Sequence, residues 1–205
     1  MNNFYDKYEF FPLTILDSPL ETVELELKEI LTTWQKDSKI EFGPVDLDKI
    51  NPPPMIIAGG AHLPKFLIWE PKNNPNSTAF FSNYQDGLNS LIHVWNQRYR
   101  KRAVSVRLSN DTISYYPHHE INVKTSENEE RVVYTHVASK WEFFQTGPVQ
   151  EFEDIENYKA KKIKERLNND IVNKYLYKLG FKIWEEDFYK SNNKGIYFER
   201  LSWNK

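Results

Sequence analysis

Between residues 103 and 145 the chain is a run of short segments of alternating polarity with only turns between them, and this run limits the fold more than any other feature. Val104, Val106 and Leu108 alternate with Ser105, Arg107 and Ser109, the pattern of a half-buried strand. After a turn at Ser109-Asn110-Asp111, residues 113–116 and 120–125 read as short strands. Residues 126–130 form the charged tip of a hairpin, 131–137 return, and 140–145 add a further strand before the break at Gly147-Pro148. Upstream, 66–70 and 78–82 read as strands on either side of a turn-rich Pro71–Asn76 stretch, and the chain ends with an apolar stretch at 181–184, a loop, and a strand over 196–203.

Three helices separate these runs. Ser18-Pro19-Leu20-Glu21 predicts a capping box, with Leu20, Val23, Leu27, Ile30, Leu31 and Trp34 at helical spacing behind it. Residues 85–100 carry Leu88, Leu91, Ile92, Trp95 and Tyr99 on one stripe, with His93 at its flank. The longest helix is predicted over 154–179, stopped by Gly180 with Phe181 closing a Schellman cap. Helices separated by runs of adjacent strands indicate an α+β fold, a mostly antiparallel sheet packed against about three amphipathic helices.

The length suits a single α+β domain over 1–205, with the irregular stretch 43–65 as a candidate subdomain break. Gly43-Pro44, Pro52-Pro53-Pro54 and Gly59-Gly60 keep that stretch out of regular elements. The chain has no cysteine, which excludes a disulfide framework, a thiolate metal site and a cysteine nucleophile. The first residues lack a secretory pattern, and apolar runs such as Phe66-Leu67-Ile68-Trp69 fall far short of a membrane span, so the reading is cytoplasmic, with no membrane partner. Abundant Lys and Asn suggest an AT-rich, bacterial coding genome.

The sequence carries no catalytic signature. His118-His119-Glu120 is the strongest metal-like cluster: on a strand His118 and Glu120 share a face and His119 points away. Two ligands do not make a site, and His62, His93 or His136 would have to arrive from elsewhere. Polar strand-end residues are the better account of the cluster, and the expectation is no metal, no cofactor and no catalytic residue. The pair Gly59-Gly60 matches no phosphate-binding loop and reads as a turn, and Glu185-Glu186-Asp187 reads as a solvated loop.

Six Trp, twelve Tyr and thirteen Phe are more rings than one core of this size needs, so some lie on a surface that meets a partner. Charge is blocked: residues 127–157 hold eight Asp/Glu against two Lys/Arg, and residues 158–182 reverse this with two against eight. Ordinary solvated faces explain such blocks, and so does a surface that steers a charged partner. The reading that results is a non-enzymatic protein-binding protein, most specifically a bacterial immunity- or antitoxin-like inhibitor, with Tyr134, Trp141, Glu127, Glu129 and Glu130 as candidate contacts. A nucleic-acid-binding protein is the first alternative, using Arg98, Arg100, Lys101 and Arg102 within the basic segment 98–107 together with 159–166. Net charge of −2 counts against it. A hydrolase with an unfamiliar site near His118 and Glu120 is the second.

Overall fold

The computed structural model describes residues 7–50 and 62–202. The elements run β1 (Phe10–Leu16), α1 (Leu20–Ile30), β2 (Ser38–Gly43), β3 (Lys65–Trp69), β4 (Thr78–Ser82), α2 (Asn89–Tyr99), β5 (Ala103–Ser109), β6 (His118–Lys124), β7 (Glu130–Val137), β8 (Trp141–Thr146), α3 (Asn169–Lys178) and β9 (Gly195–Arg200). The nine strands form one sheet in the order β2-β9-β3-β4-β1-β5-β6-β7-β8. Each neighbouring pair is antiparallel, so the fold is mixed α+β with the sheet dominant.

β1 lies in the middle and is buried along its whole length. It contains Pro12, which has no N–H to give a ladder, and its pairing with β4 stops at Leu13, one residue short of it.

The two faces of the sheet are covered unequally. On one face Leu13, Ile15, Leu67, Phe81, Val104, Val106, Ile121, Val123, Val133 and Tyr197 form a core that runs from β9 through the middle of the sheet out to β7. Ile171, Val172, Tyr175 and Leu176 of α3 cover it, together with Phe152, Tyr158, Leu167, Ile183 and Phe188 from irregular segments. On the opposite face Leu16, Phe66, Ile68, Phe80, Ile196 and Phe198 pack under Leu20, Val23 and Leu27 of α1 and Leu91, Ile92 and Trp95 of α2. That second core ends at Ala103, where β5 begins. Beyond it the same face is made, apart from Val132, of polar and aromatic side chains.

Several local elements depart from the expectation. Ser18 does not cap α1: Pro19 holds the cap position without a side-chain bond, and the Ser18 hydroxyl instead accepts from Lys101 Nζ at 3.1 Å. α2 starts at Asn89, because Gly87 and Leu88 both adopt positive φ and Asp86 Oδ1 receives the Leu88 amide. Residues 113–116 are a turn tightened by Asn110, whose carbonyl accepts from Ile113 and Ser114 and whose side chain accepts from Thr112.

The helix predicted over 154–179 is regular only from Asn169. Asn168 is extended and its side chain accepts from the Ile171 amide at 3.1 Å, so it starts a new helix in place of continuing one. The preceding stretch makes two short 3₁₀ turns, with Tyr158 and Leu167 buried in the core. Residues 181–184 form no strand. The end of α3 follows the expectation closely: Gly180 has φ +87°, the Phe181 amide bonds to the Leu176 carbonyl and the Gly180 amide to Tyr177, a Schellman cap. The Pro52–Pro54 run, the Gly59-Gly60 pair and Trp203 lie outside the described residues.

Candidate functional site

The polar half-face is built by the β6–β7 hairpin and its neighbours. With a tip closed by Lys124 and Glu130, the register places His118 opposite His136, Glu120 opposite Tyr134 and Asn122 opposite Val132. β5 brings Arg107 opposite Glu120, and β8 brings Phe144 opposite Tyr134 and Glu142 opposite His136. Directly opposed residues share a face, so all of these side chains project to the side on which α1 and α2 pack farther along the sheet.

They are satisfied laterally, by one another. His118 Nε2 lies 2.9 Å from Glu120 Oε2, and Arg107 Nη2 lies 3.8 Å from the same oxygen. Burial lowers the pKa of His118, against the pull of Glu120, so the ring is neutral and donates from Nε2 to the carboxylate. Burial alone would raise Glu120, but the bond from His118 and the charge of Arg107 prevail and hold it below the ordinary carboxylate range. Farther along the hairpin Lys124 pairs with Glu130, and Asn122 bridges the two, accepting from Lys124 Nζ at 3.2 Å and donating to Glu130 at 2.9 Å.

Four rings stand in this network. Tyr134 and Phe144 have centroids 5.1 Å apart and planes 24° apart, and His118 and His136 are 5.7 Å and 16° apart. Tyr134 lies 5.3 Å from both histidines. Spacings and angles of this kind are those of offset stacking, so the rings stand up from the sheet with their faces turned toward one another. What they present outward is edges. A surface that stacks bases or sugars needs free ring faces, and this one has few.

Beside Arg107 and Glu120, the β4–α2 turn at Asp86-Gly87 and Asn89 enclose a cavity of about 40 Å³. Arg107 Nε and Asn89 Oδ1 have no hydrogen-bond partner among the described residues, so a donor and an acceptor flank a space that suits one water and no substrate. Among the described residues no three His, Asp or Glu side chains are placed to hold a metal ion.

The residues singled out in the sequence are dispersed by the fold. Tyr134 and Glu130 lie on the open half-face. Trp141 is on the opposite face, its ring parallel to buried His119 at 6.1 Å. Glu127 and Glu129 are exposed at the hairpin tip, where the Ser126 hydroxyl bonds Glu127.

The basic candidates are partly neutralised. Arg98 pairs with Glu29 and Lys101 with Glu26, both from α1. Arg100 is exposed at the end of α2, and the Arg102 carbonyl accepts from Asp17. In the second basic segment Lys159 pairs with Glu156 and Lys162 with Glu165, and the Arg166 guanidinium bonds the Ala160 carbonyl. His136, Glu142 and Phe144 are members of the half-face that sequence reasoning did not place there. The hairpin register was the available signal for His136.

No family model matches the chain, and no curated protein or solved structure matches it either.

Proposed function

We propose that the chain is a protein-binding protein and that the open half-face across β5–β8 is where its partner docks. The observation that carries this reading is the set of rings from His118, Tyr134, His136 and Phe144 framed by Glu120, Glu130 and Glu142 on the part of the sheet that lies beyond the apolar core under α1 and α2. Half-exposed rings ending at the exposed Phe144, with charged groups around them, follow the pattern of an interface, aromatic within and polar at the rim. An immunity- or antitoxin-like inhibitor acting in the bacterial cytoplasm as a single-domain module is the most specific form of the proposal.

The test is capture from nuclease-treated host lysate by tagged wild-type protein and by Tyr134→Ala and His136→Ala, with circular dichroism as a check on folding. The reading predicts one stoichiometric protein retained by wild type and lost from both variants. Equal retention by all three contradicts it.

A second reading, a hydrolase acting through His118 and Glu120, is favoured by one observation: the fold brings His136 and Arg107 to that pair. A histidine with a carboxylate partner, a second histidine and a guanidinium are the groups that general acid–base chemistry on a phosphate ester uses. Turnover of a bis-aryl phosphate by wild type and its loss in His136→Ala would establish it. No turnover above buffer would remove it.

A further inference from the structure

The sheet ends in two strands of different character. β2 carries Lys39 and Glu41, which pair with each other, and Glu41 also pairs with Lys49. Charged side chains of this kind are how natural sheets discourage a further strand. β8 has no such guard. Trp141-Glu142-Phe143-Phe144-Gln145-Thr146 holds three rings and a single charge, without Lys, Arg, Pro or Gly.

Its ladder with β7 is six consecutive pairs without a bulge, so the edge is regular over the whole strand. In an antiparallel strand alternate residues turn their N–H and C=O groups away from the neighbour. Residues 142–145 make no backbone hydrogen bond to any other described segment. The 3₁₀ turn at Ile163–Glu165 packs on both β7 and β8, while Glu142, Phe144, Gln145 and Thr146 of β8 remain exposed. Phe143 is held between Tyr158, at 5.4 Å, and the Arg166 guanidinium, at 5.5 Å.

A second copy of this chain meets the requirements of that edge. A two-fold axis perpendicular to the sheet pairs β8 with its copy antiparallel and keeps the open half-faces on one side. Residues directly opposed must then share a face, which allows a register centred on Phe144 or one centred on Phe143. Phe143 is held under Tyr158 and Arg166, whereas Phe144 is 45% exposed and already stacks on Tyr134. Centring on Phe144 sets Phe144 against its counterpart, Phe143 against Gln145 and Glu142 against Thr146. The ring row then continues across the axis, and no charge faces its like.

We infer that two copies join through β8, in antiparallel register centred on Phe144, so that the two sheets become one and the two open half-faces one two-fold surface. The inference concerns the edge strand and stands independently of what docks on the half-face.

Sedimentation equilibrium of the purified full chain tests it, with Thr146→Glu and Thr146→Lys as paired variants. Thr146 is exposed, and its side chain takes no part in the core. The wild type is expected to sediment as a dimer of the 24.5 kDa chain. Thr146→Glu places two carboxylates opposite each other at both ends of the junction, and Thr146→Lys places an opposite charge there. Cross-strand pairs of this sort shift the dimer dissociation constant by about two- to tenfold, weaker for Glu and tighter for Lys. Opposite shifts from one position cannot come from misfolding. A monomer at the highest attainable concentration overturns the inference. A dimer indifferent to both substitutions overturns it as well, because the junction then lies elsewhere.

Discussion

One face of the sheet is built in two ways. From β9 to β1 its side chains are Leu16, Phe66, Ile68, Phe80, Ile196 and Phe198, and two helices are laid over them. From β5 to β8 the same alternation delivers Arg107, His118, Glu120, Asn122, Lys124, Tyr134 and His136; Asn122 and Lys124 are buried, and Tyr134 and His136 stand half-exposed without an apolar layer of helix side chains over them. The apolar half needs its helices, because its stabilisation comes from surface removed from water. The polar half bonds sideways along the sheet and needs no cover. Side chains satisfied within the sheet can remain at the surface, where a second molecule can reach them.

The largest effects on either half are expected from buried groups. Phe80, fully buried and stacked on Phe66 with centroids 4.9 Å apart, anchors the covered half. Phe80→Ala should lower unfolding free energy by about 3–5 kcal/mol in denaturant titration. The open half has an anchor of similar weight on its underside. Arg131 of β7 grips Glu153 with two bonds of 2.9 and 2.7 Å, and Tyr158 and the Gln150 amide complete the carboxylate's partners. Arg131→Met leaves that buried carboxylate without its counter-charge and should cost roughly 3–5 kcal/mol. On the open surface itself the expected cost is smaller: Tyr134→Ala removes cross-strand ring contacts worth ~1 kcal/mol. A cost there as large as at Phe80 would mean that the half-face is a core in its own right.

The two halves should also respond differently to acid. His118 is neutral in the folded protein because burial lowers its pKa, while the unfolded chain takes up a proton near pH ~6.5. The unfolded state therefore binds more protons there, and the stability linked to this group, complete above that pH, is lost as pH falls through the folded-state value. Glu120, also lowered, adds a loss of the same sign at lower pH. Stability measured against pH should thus fall on acidification from neutrality. His118→Gln should flatten the upper part of that fall, and Phe80→Ala should move the whole curve without changing its shape. The smallest effect belongs to the surface: Arg98 and Glu29 form an exposed pair, and Arg98→Ala should change stability by less than ~0.5 kcal/mol.

Much of the sheet was legible because alternation and turn residues are local signals. The ranges of β4 and β5 match the expectation residue for residue, and the Gly180-Phe181 cap forms as its sequence implies. Where the reading failed, tertiary contacts outweighed local pattern. Ile163 and Leu167 stand at helical spacing, yet the Asn168 cap and the burial of Tyr158 break the helix between them and α3. Ser18 has a capping sequence, but its hydroxyl is engaged by Lys101.

The half-face was legible only in part. That His118 and Glu120 share a face follows from a two-residue period. That His136 joins them depends on how the hairpin tip closes, and a one-residue slip would have sent His136 to the other side. Trp141 shows the same rule in reverse: rich in binding potential as a residue type, it faces away from Tyr134 because of where β8 begins.

The account rests on the open half of the sheet being the working surface, and one capture experiment bears on it most directly. Wild-type protein, His136→Ala on the open half and Leu25→Ala on the outer side of α1, where Leu25 is exposed, would each be used to draw a partner from nuclease-treated host lysate. The account predicts one stoichiometric protein with wild type and Leu25→Ala, and its loss with His136→Ala. Retention by His136→Ala together with loss by Leu25→Ala would place the working surface on the helices and contradict it.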